Sequence, residues 1–120
     1  MSSFVPAQVK PFVAFSVFES LDIRLGTITS VSDVQGSRKL LDLTVDFGNH
    51  SRHILAGMKQ ERPDATALVG SQALFVLNLE PKPMAGRISE GMLLDIGYAD
   101  DLVPALAVPE RRLPNGSRAG

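Results

Sequence analysis

The stretch that most limits what this chain can fold into is N-L-E-P-K-P-M-A-G-R-I-S-E-G-M-L-L, residues 78–94. Pro81 and Pro83 exclude helix and each removes a backbone donor, so residues 80–84 are expected to run extended and stiff. Gly86 and Gly91 supply two points where the backbone can turn with positive φ or come close to another group. Apolar runs flank the stretch: residues 72–77 and residues 92–96 have the Ala, Leu, Phe, Val, Met and Ile content of buried strands. A stiff loop held between two core strands is where a scaffold usually presents function.

The rest of the chain supplies more strands. Residues 23–34 are rich in Ile, Val and Thr and contain Gly26, a position expected to bend or bulge. Residues 41–47 alternate, with Leu41, Leu43, Val45 and Phe47 on one face and Asp42, Thr44 and Asp46 on a solvent face. Gly48-Asn49 has hairpin-turn chemistry, and residues 52–56 return as a third strand. A helical turn is expected at residues 58–62 before Pro63, then a second over residues 65–68, capped by Asp64 and stopped by Gly70. Residues 102–108 are interrupted by Pro104 and read as an edge strand. Five core strands with a short helical piece between the third and fourth match an all-β, five-stranded Greek-key barrel of the OB-fold type.

At the other end, Pro6 and Pro11 keep residues 1–11 irregular. Ser16 and Glu19 have capping-box spacing, which predicts a short helix starting at Ser16 with Phe18 and Leu21 packed on the core. Residues 11–18 after Lys10 imitate a signal peptide, but the run is short, broken by Ser16 and lacks a small-residue cleavage site. Phe12, Val13 and Phe15 have no evident core partner, so residues 1–17 read as an extension that could cover a second subunit.

With 120 residues, 44% hydrophobic and 21% charged, the chain suits one globular domain, residues 1–120. No window reaches the roughly 18–20 apolar residues of a membrane helix. The absence of cysteine excludes disulfides and thiolate chemistry and fits a cytoplasmic protein. A net charge of −1 does not advertise nucleic-acid binding, which would need the positive charge gathered on one face.

The order N-L-x-P-x-x-M-x-G, then S-E-G-M-L-L, resembles the tRNA-binding domain of the dimeric CsaA and structure-specific tRNA-binding proteins. The same domain is appended to some methionyl- and phenylalanyl-tRNA synthetases and to synthetase cofactors. F-E-S-L-D-I-R-L-G at residues 18–26, K-L-L-D-L-T-V-D-F-G at 39–48, R-H-I-L-A-G at 52–57 and L-P-N-G at 113–116 extend the likeness from Phe18 to the C-terminus. The resemblance implies a homodimer that binds tRNA without catalysis or cofactor, with Ser89 and Met92 at the RNA-facing groove and Asn78 and Lys82 near by. It also implies an alternative, chaperone-like binding of unfolded or precursor polypeptides. Residues 35–38 depart from the family form, which carries His-Pro and Ala-Asp before Lys-Leu; here they are Gln35-Gly36-Ser37-Arg38. The loop still flanks the groove of an OB-fold, so Arg38 and Lys39 join the candidate RNA contacts.

Other chemistry reads poorly. His50 and His53 lie three apart, which on a strand sends them to opposite faces, so a shared metal is not expected and both are read as surface hairpin residues. Gly36-Ser37-Arg38-Lys39 lacks the glycine spacing of a nucleotide-binding loop. Ser89 has no G-x-S-x-G elbow around it. There is no Trp, one Tyr (Tyr98), and six Phe read mostly as core, which disfavours single-strand stacking and favours recognition of folded RNA by shape and phosphate contact.

Overall fold

Leu41, Leu43 and Val45 are fully buried, as their alternation dictates, and they set the middle of the structure. The computed structural model describes residues 4–120. Its elements are α1 (Phe15–Glu19), β1 (Ile23–Asp33), β2 (Leu41–Asp46), β3 (Ser51–Ala56), β4 (Gln72–Val76), β5 (Lys82–Met84), β6 (Arg87–Ser89), β7 (Met92–Leu93), β8 (Asp95–Ile96) and β9 (Ala105–Leu106). A 3-10 turn over Ala65–Leu68 lies between β3 and β4, capped by Asp64, whose side chain accepts from the Thr66 N–H, and followed by Gly70 at φ 92°. A second spans Tyr98–Asp100. Residues 58–62 form a turn, closed by Arg62 N–H donating to Lys59 O at 3.2 Å, and not a helix.

The main sheet runs β3-β2-β1-β4-β7 with antiparallel neighbours throughout. β1 is long enough to pair with β4 along its first half and with β2 along its second, so it passes from one side of the barrel to the other. The register shift of that passage falls between Ile28 and Ser30, not at Gly26. Gly26 serves packing instead: a Cβ there would lie 2.5 Å from Val45 Cγ1 and 2.7 Å from Phe47 Cε1. Ile28, Val34, Ile54, Met58 and Phe75 complete the set of large, fully buried side chains, each contributing about 1.5–3 kcal/mol by leaving water.

The barrel is nearly closed by polar contacts on the outer edge of β3. Leu55 N–H donates to Ser89 Oγ at 3.0 Å, and Glu90 N–H donates to His53 O at 2.9 Å. His53 N–H donates in turn to Glu90 Oε1 at 2.9 Å. Arg52 Nη1 reaches both Leu77 O at 2.7 Å and Glu90 O at 3.0 Å, tying the end of β4 to the strand turn before β7. The fold is the all-β OB-type barrel that the strand order predicts.

Several local expectations change. The proline-rich segment is a two-stranded hairpin, β5 against β6, and not an irregular loop. Pro81 precedes it and Pro83 sits within a two-stranded sheet, where a missing donor is tolerated. Residues 92–96 do not form one strand: after Leu94 N–H donates to Leu74 O, the chain leaves β4 and β8 pairs with β9. Ser16 caps nothing, because α1 begins one residue earlier behind an extended Ala14. Phe18 and Leu21 stay 40% and 42% exposed, and the whole of residues 4–21 is exposed. Among the described residues no helix is long and apolar enough to cross a membrane.

Candidate nucleic-acid interface

Loop chemistry places Arg38 and Lys39. Gly36 adopts φ 82°, and the Ser37 hydroxyl accepts from the backbone N–H groups of Lys39 and Leu40 at 3.3 and 3.0 Å. That small side chain shapes the turn. Lys59 N–H then donates to Lys39 O at 3.1 Å, and Lys59 Nζ pairs with Asp33 at 3.2 Å, which fastens the loop beside the end of β3.

The hairpin brings the second cation. Ala85 and Gly86 both have positive φ, 49° and 78°, the geometry of a two-residue turn matched to strand twist. Lys82 stands opposite Ser89 across this hairpin, and Ser89 is bonded to Leu55 of β3. Lys82 is thereby tied to Leu55 near the end of β3, and Lys39 to Lys59 in the turn that follows β3. Five of the twelve Lys and Arg side chains are paired with carboxylates among the described residues: Arg24 with Asp22, Lys59 with Asp33, Arg62 with Glu61, Arg87 with Asp42 and Arg111 with Glu110. Among the described residues the exposed side chains of Arg38, Lys39 and Lys82 take part in no ion pair and no hydrogen bond.

The other candidates have different surroundings. Met92 is 46% exposed on β7, beside Val76. Ser89 is 3% exposed, and its hydroxyl both accepts from Leu55 N–H and donates to Gly91 O at 2.9 Å. Asn78 uses its amide to hold the chain ahead of β1, accepting from Asp22 N–H and donating to Ser20 O, both at 2.7 Å. Ser89 thus fixes the backbone opposite Lys82, whereas Asn78 fixes the chain ahead of β1.

Sequence reasoning missed three groups here. Asp42 does not face solvent: it is 8% exposed, with Oδ1 3.1 Å from His53 Nδ1 and Oδ2 accepting from Arg87 Nη1 at 2.6 Å. The folded hairpin lays Arg87 over it, a contact no spacing in the sequence signals. His50 is separate, stacked on Phe47 with Nε2 accepting from Arg52 Nε at 3.0 Å. No three His, Asp or Glu side chains are arranged to hold a metal among the described residues. The aromatics also differ from expectation. Only Phe47 and Phe75 are buried, while Phe4, Phe12, Phe15 and Phe18 lie in the exposed N-terminal segment. Tyr98 is 59% exposed and borders Gly57 at the end of β3.

Asp95 is the one electrostatically unsettled carboxyl. Its Oδ1 is buried without a partner among the described residues. Burial raises its pKa, the nearby Arg62 guanidinium opposes the rise, and the Glu61 carboxylate adds to it.

Residues 23–118 match the family model described as "Putative tRNA binding domain". The fold is similar to a MetRS-related protein from Pyrococcus horikoshii, with a TM-score of 0.83 and 28% identity over 92% of this chain and 100% of that one. It is similar to the chaperone CsaA from Bacillus anthracis, with a TM-score of 0.80 and 30% identity over 92% of this chain and 100% of the other. A CsaA chaperone protein from Picrophilus torridus gives 0.77 and 26% identity over 91% and 100%. With the barrel, the S-E-G-M-L-L strand turn and the N-L-E-P hairpin entry all in the matched span, the chain belongs to the CsaA-like family of tRNA-binding domains.

Proposed function

We propose that this protein is a non-catalytic, cytoplasmic tRNA-binding homodimer that recognises folded tRNA by shape and backbone contact. The observation that carries the reading is that Arg38, Lys39 and Lys82, on a loop and a hairpin tied to β3 and to the turn after it, are exposed and make no ion pair among the described residues, as do Lys10 and Arg118 elsewhere, on a chain whose net charge is only −1. Phosphates are bound by charge that is not already neutralised by protein neighbours. Met92 adds an exposed apolar contact, while Ser89 and Asn78 hold the groove's backbone.

Dimer formation is assigned to the N-terminal extension, residues 1–17, of which residues 4–17 are described. Phe12 is 99%, Phe15 70% and Val13 69% exposed, an apolar surface that a second copy would cover. The same surface favours a second reading, capture of unfolded or precursor polypeptides, in keeping with the chaperone names of two structural relatives.

One measurement separates the readings: affinity for bulk tRNA and for an unfolded protein across a salt series. Each phosphate contact contributes roughly 0.7–0.9 to the slope of log affinity against log salt, so Lys39→Ala or Lys82→Ala in both subunits should flatten it by up to about 1.5–2. Ser89→Ala should lower affinity with the slope kept, because it loosens β3 from the hairpin without removing charge. If all three variants keep the wild-type affinity and slope for tRNA, the polypeptide reading takes first place.

A further inference from the structure

We infer that Asp42, His53 and Arg87 form a further contact point for one phosphodiester of the bound RNA, switched on by protonation of His53. The inference rests on the tRNA reading above and deepens it. The three side chains come from β2, β3 and β6 and line one open cleft of about 390 Å³ with Ile88 and Glu90.

The arrangement has an inside and an outside. The Asp42 side chain is 10% exposed, whereas those of His53 and Arg87 are 61% and 41% exposed. Both carboxylate oxygens are occupied, one by each partner, so the acid is not available to a ligand. It is a positioning residue. By accepting from His53 Nδ1–H it fixes the imidazole tautomer and turns Nε2 outward. By accepting from Arg87 Nη1 it orients the guanidinium and uses only part of a fork that carries five N–H donors. Neither the imidazole nor the guanidinium makes another hydrogen bond among the described residues.

Charge decides when the site works. Asp42 and Arg87 cancel, and Glu90 contributes a carboxylate whose Oε1 already accepts from His53 N–H. On its own strand, His53 has Arg52 and His50 as charged or titratable neighbours, and those two engage each other. With His53 neutral the cleft therefore carries a net charge of −1, which protonation brings to zero, and Nε2 is an acceptor that repels a phosphate oxygen. Protonation adds one positive charge and converts Nε2 into a donor. A phosphodiester, with one negative charge and two non-bridging oxygens, can then bridge Nε2–H and the outward guanidinium edge. Ile88, 59% exposed, borders the same cleft and offers an apolar surface to the adjoining ribose. The cleft lacks the enclosing walls that would hold a free phosphate ion, so a polymer already held at Lys39 and Lys82 is the fitting ligand.

The test uses the full chain and bulk tRNA at constant ionic strength, at about pH 5.5 and about pH 8, either side of the ordinary imidazole range. Wild-type affinity should be about 3- to 10-fold higher at the lower pH, the net scale of one solvent-accessible hydrogen bond. His53→Gln should bind with the wild-type high-pH affinity at both values, and Arg87→Gln should lose most of the low-pH gain. In an NMR titration the His53 ring should take up its proton at higher pH when tRNA is bound, with the His50 ring as internal control. Asp42→Asn should keep tRNA binding but reduce that response. Equal pH dependence in wild type and His53→Gln, or a His53 titration that tRNA does not move, would overturn the inference while tRNA binding itself stood. An equal response to inorganic phosphate alone would overturn the assignment to a polymer. No tRNA binding at either pH, for any form, would remove the underlying reading together with the inference.

Discussion

The two ends of the chain meet the same part of the barrel and are held there by opposite means. The C-terminal strap is fixed by polar contacts of defined geometry. Leu25 N–H donates to Ser117 O, Gly116 N–H to Leu25 O and Ala119 N–H to Ile23 O, all within 2.9 Å. Buried Gln72 is satisfied by Leu113 O, Asn115 Oδ1 and the Leu113 N–H, and Asn115 also accepts from Thr27 Oγ1 and donates to Asp46. Residues 4–21, by contrast, are apolar yet exposed, and only the last of them are tied down, through Asn78. The two meet at a groove lined by Phe15, Phe18, Leu21, Arg118 and Gly120. Hydrogen bonds with fixed directions order a segment within one chain, whereas an apolar segment remains uncovered until something large enough packs on it.

That contrast can be broken experimentally, and the strap should show the largest effects. Gly116 has φ 89°, and a Cβ there would lie 2.4 Å from Phe47 O. Gly116→Ala should therefore cost about 3 kcal/mol in urea denaturation, from backbone strain and displacement of the strap. A loss under about 1 kcal/mol would mean the strap is peripheral to stability. Asn115→Ala should follow, at about 1–3 kcal/mol, because it leaves buried Gln72 and Thr27 short of a partner.

Removing residues 1–15 tests the opposite case. Stability measured at dilutions where both forms are monomeric should change by under about 0.5 kcal/mol, since the described side chains among them, residues 4–15, are exposed. Light scattering should nevertheless show loss of the dimer. A dimer unchanged by the deletion would refute the assignment of this segment to assembly.

The smallest effect is expected at Asp95, where Asn should stabilise the protein by under about 1 kcal/mol near neutral pH. The sign follows from linkage. Burial raises the folded pKa above the ordinary 3.8, so between those two values the folded state binds more protons than the unfolded state. Stability therefore falls as pH rises through that window, and the ionised carboxylate remains a burden above it. Below the ordinary carboxyl range wild type and Asp95→Asn should converge. An Asn variant less stable than wild type at neutral pH would show that Arg62 compensates the charge after all.

Patterns local in sequence are legible in the residues themselves. Alternation locates β2 and its buried residues, Gly48-Asn49 the hairpin, Asp64 and Gly70 the limits of the 3-10 turn, and the strand order the barrel. The S-E-G-M-L-L and L-P-N-G motifs identify the family, and the latter proves to be the strap that anchors Gln72. These features depend on φ preferences, capping and side-chain period, which act over a few residues and so leave a readable trace.

What only the tertiary structure decided involves partners far apart in the chain. By alternation Asp42 reads as a solvent-facing residue, yet the β5–β6 hairpin lays Arg87, 45 positions away, across it. Gly26 reads as a bend, yet it is required because Val45 and Phe47 pack against its backbone from another strand. Ser89 can be named from its motif but has no task until Leu55, 34 residues distant, supplies the donor that its hydroxyl accepts. Nor does composition distinguish cations already paired from the uncommitted Arg38, Lys39 and Lys82. A charge or hydroxyl reads the same in sequence whether it is satisfied or free, because satisfaction is set by which distant groups the closed barrel brings within hydrogen-bond reach.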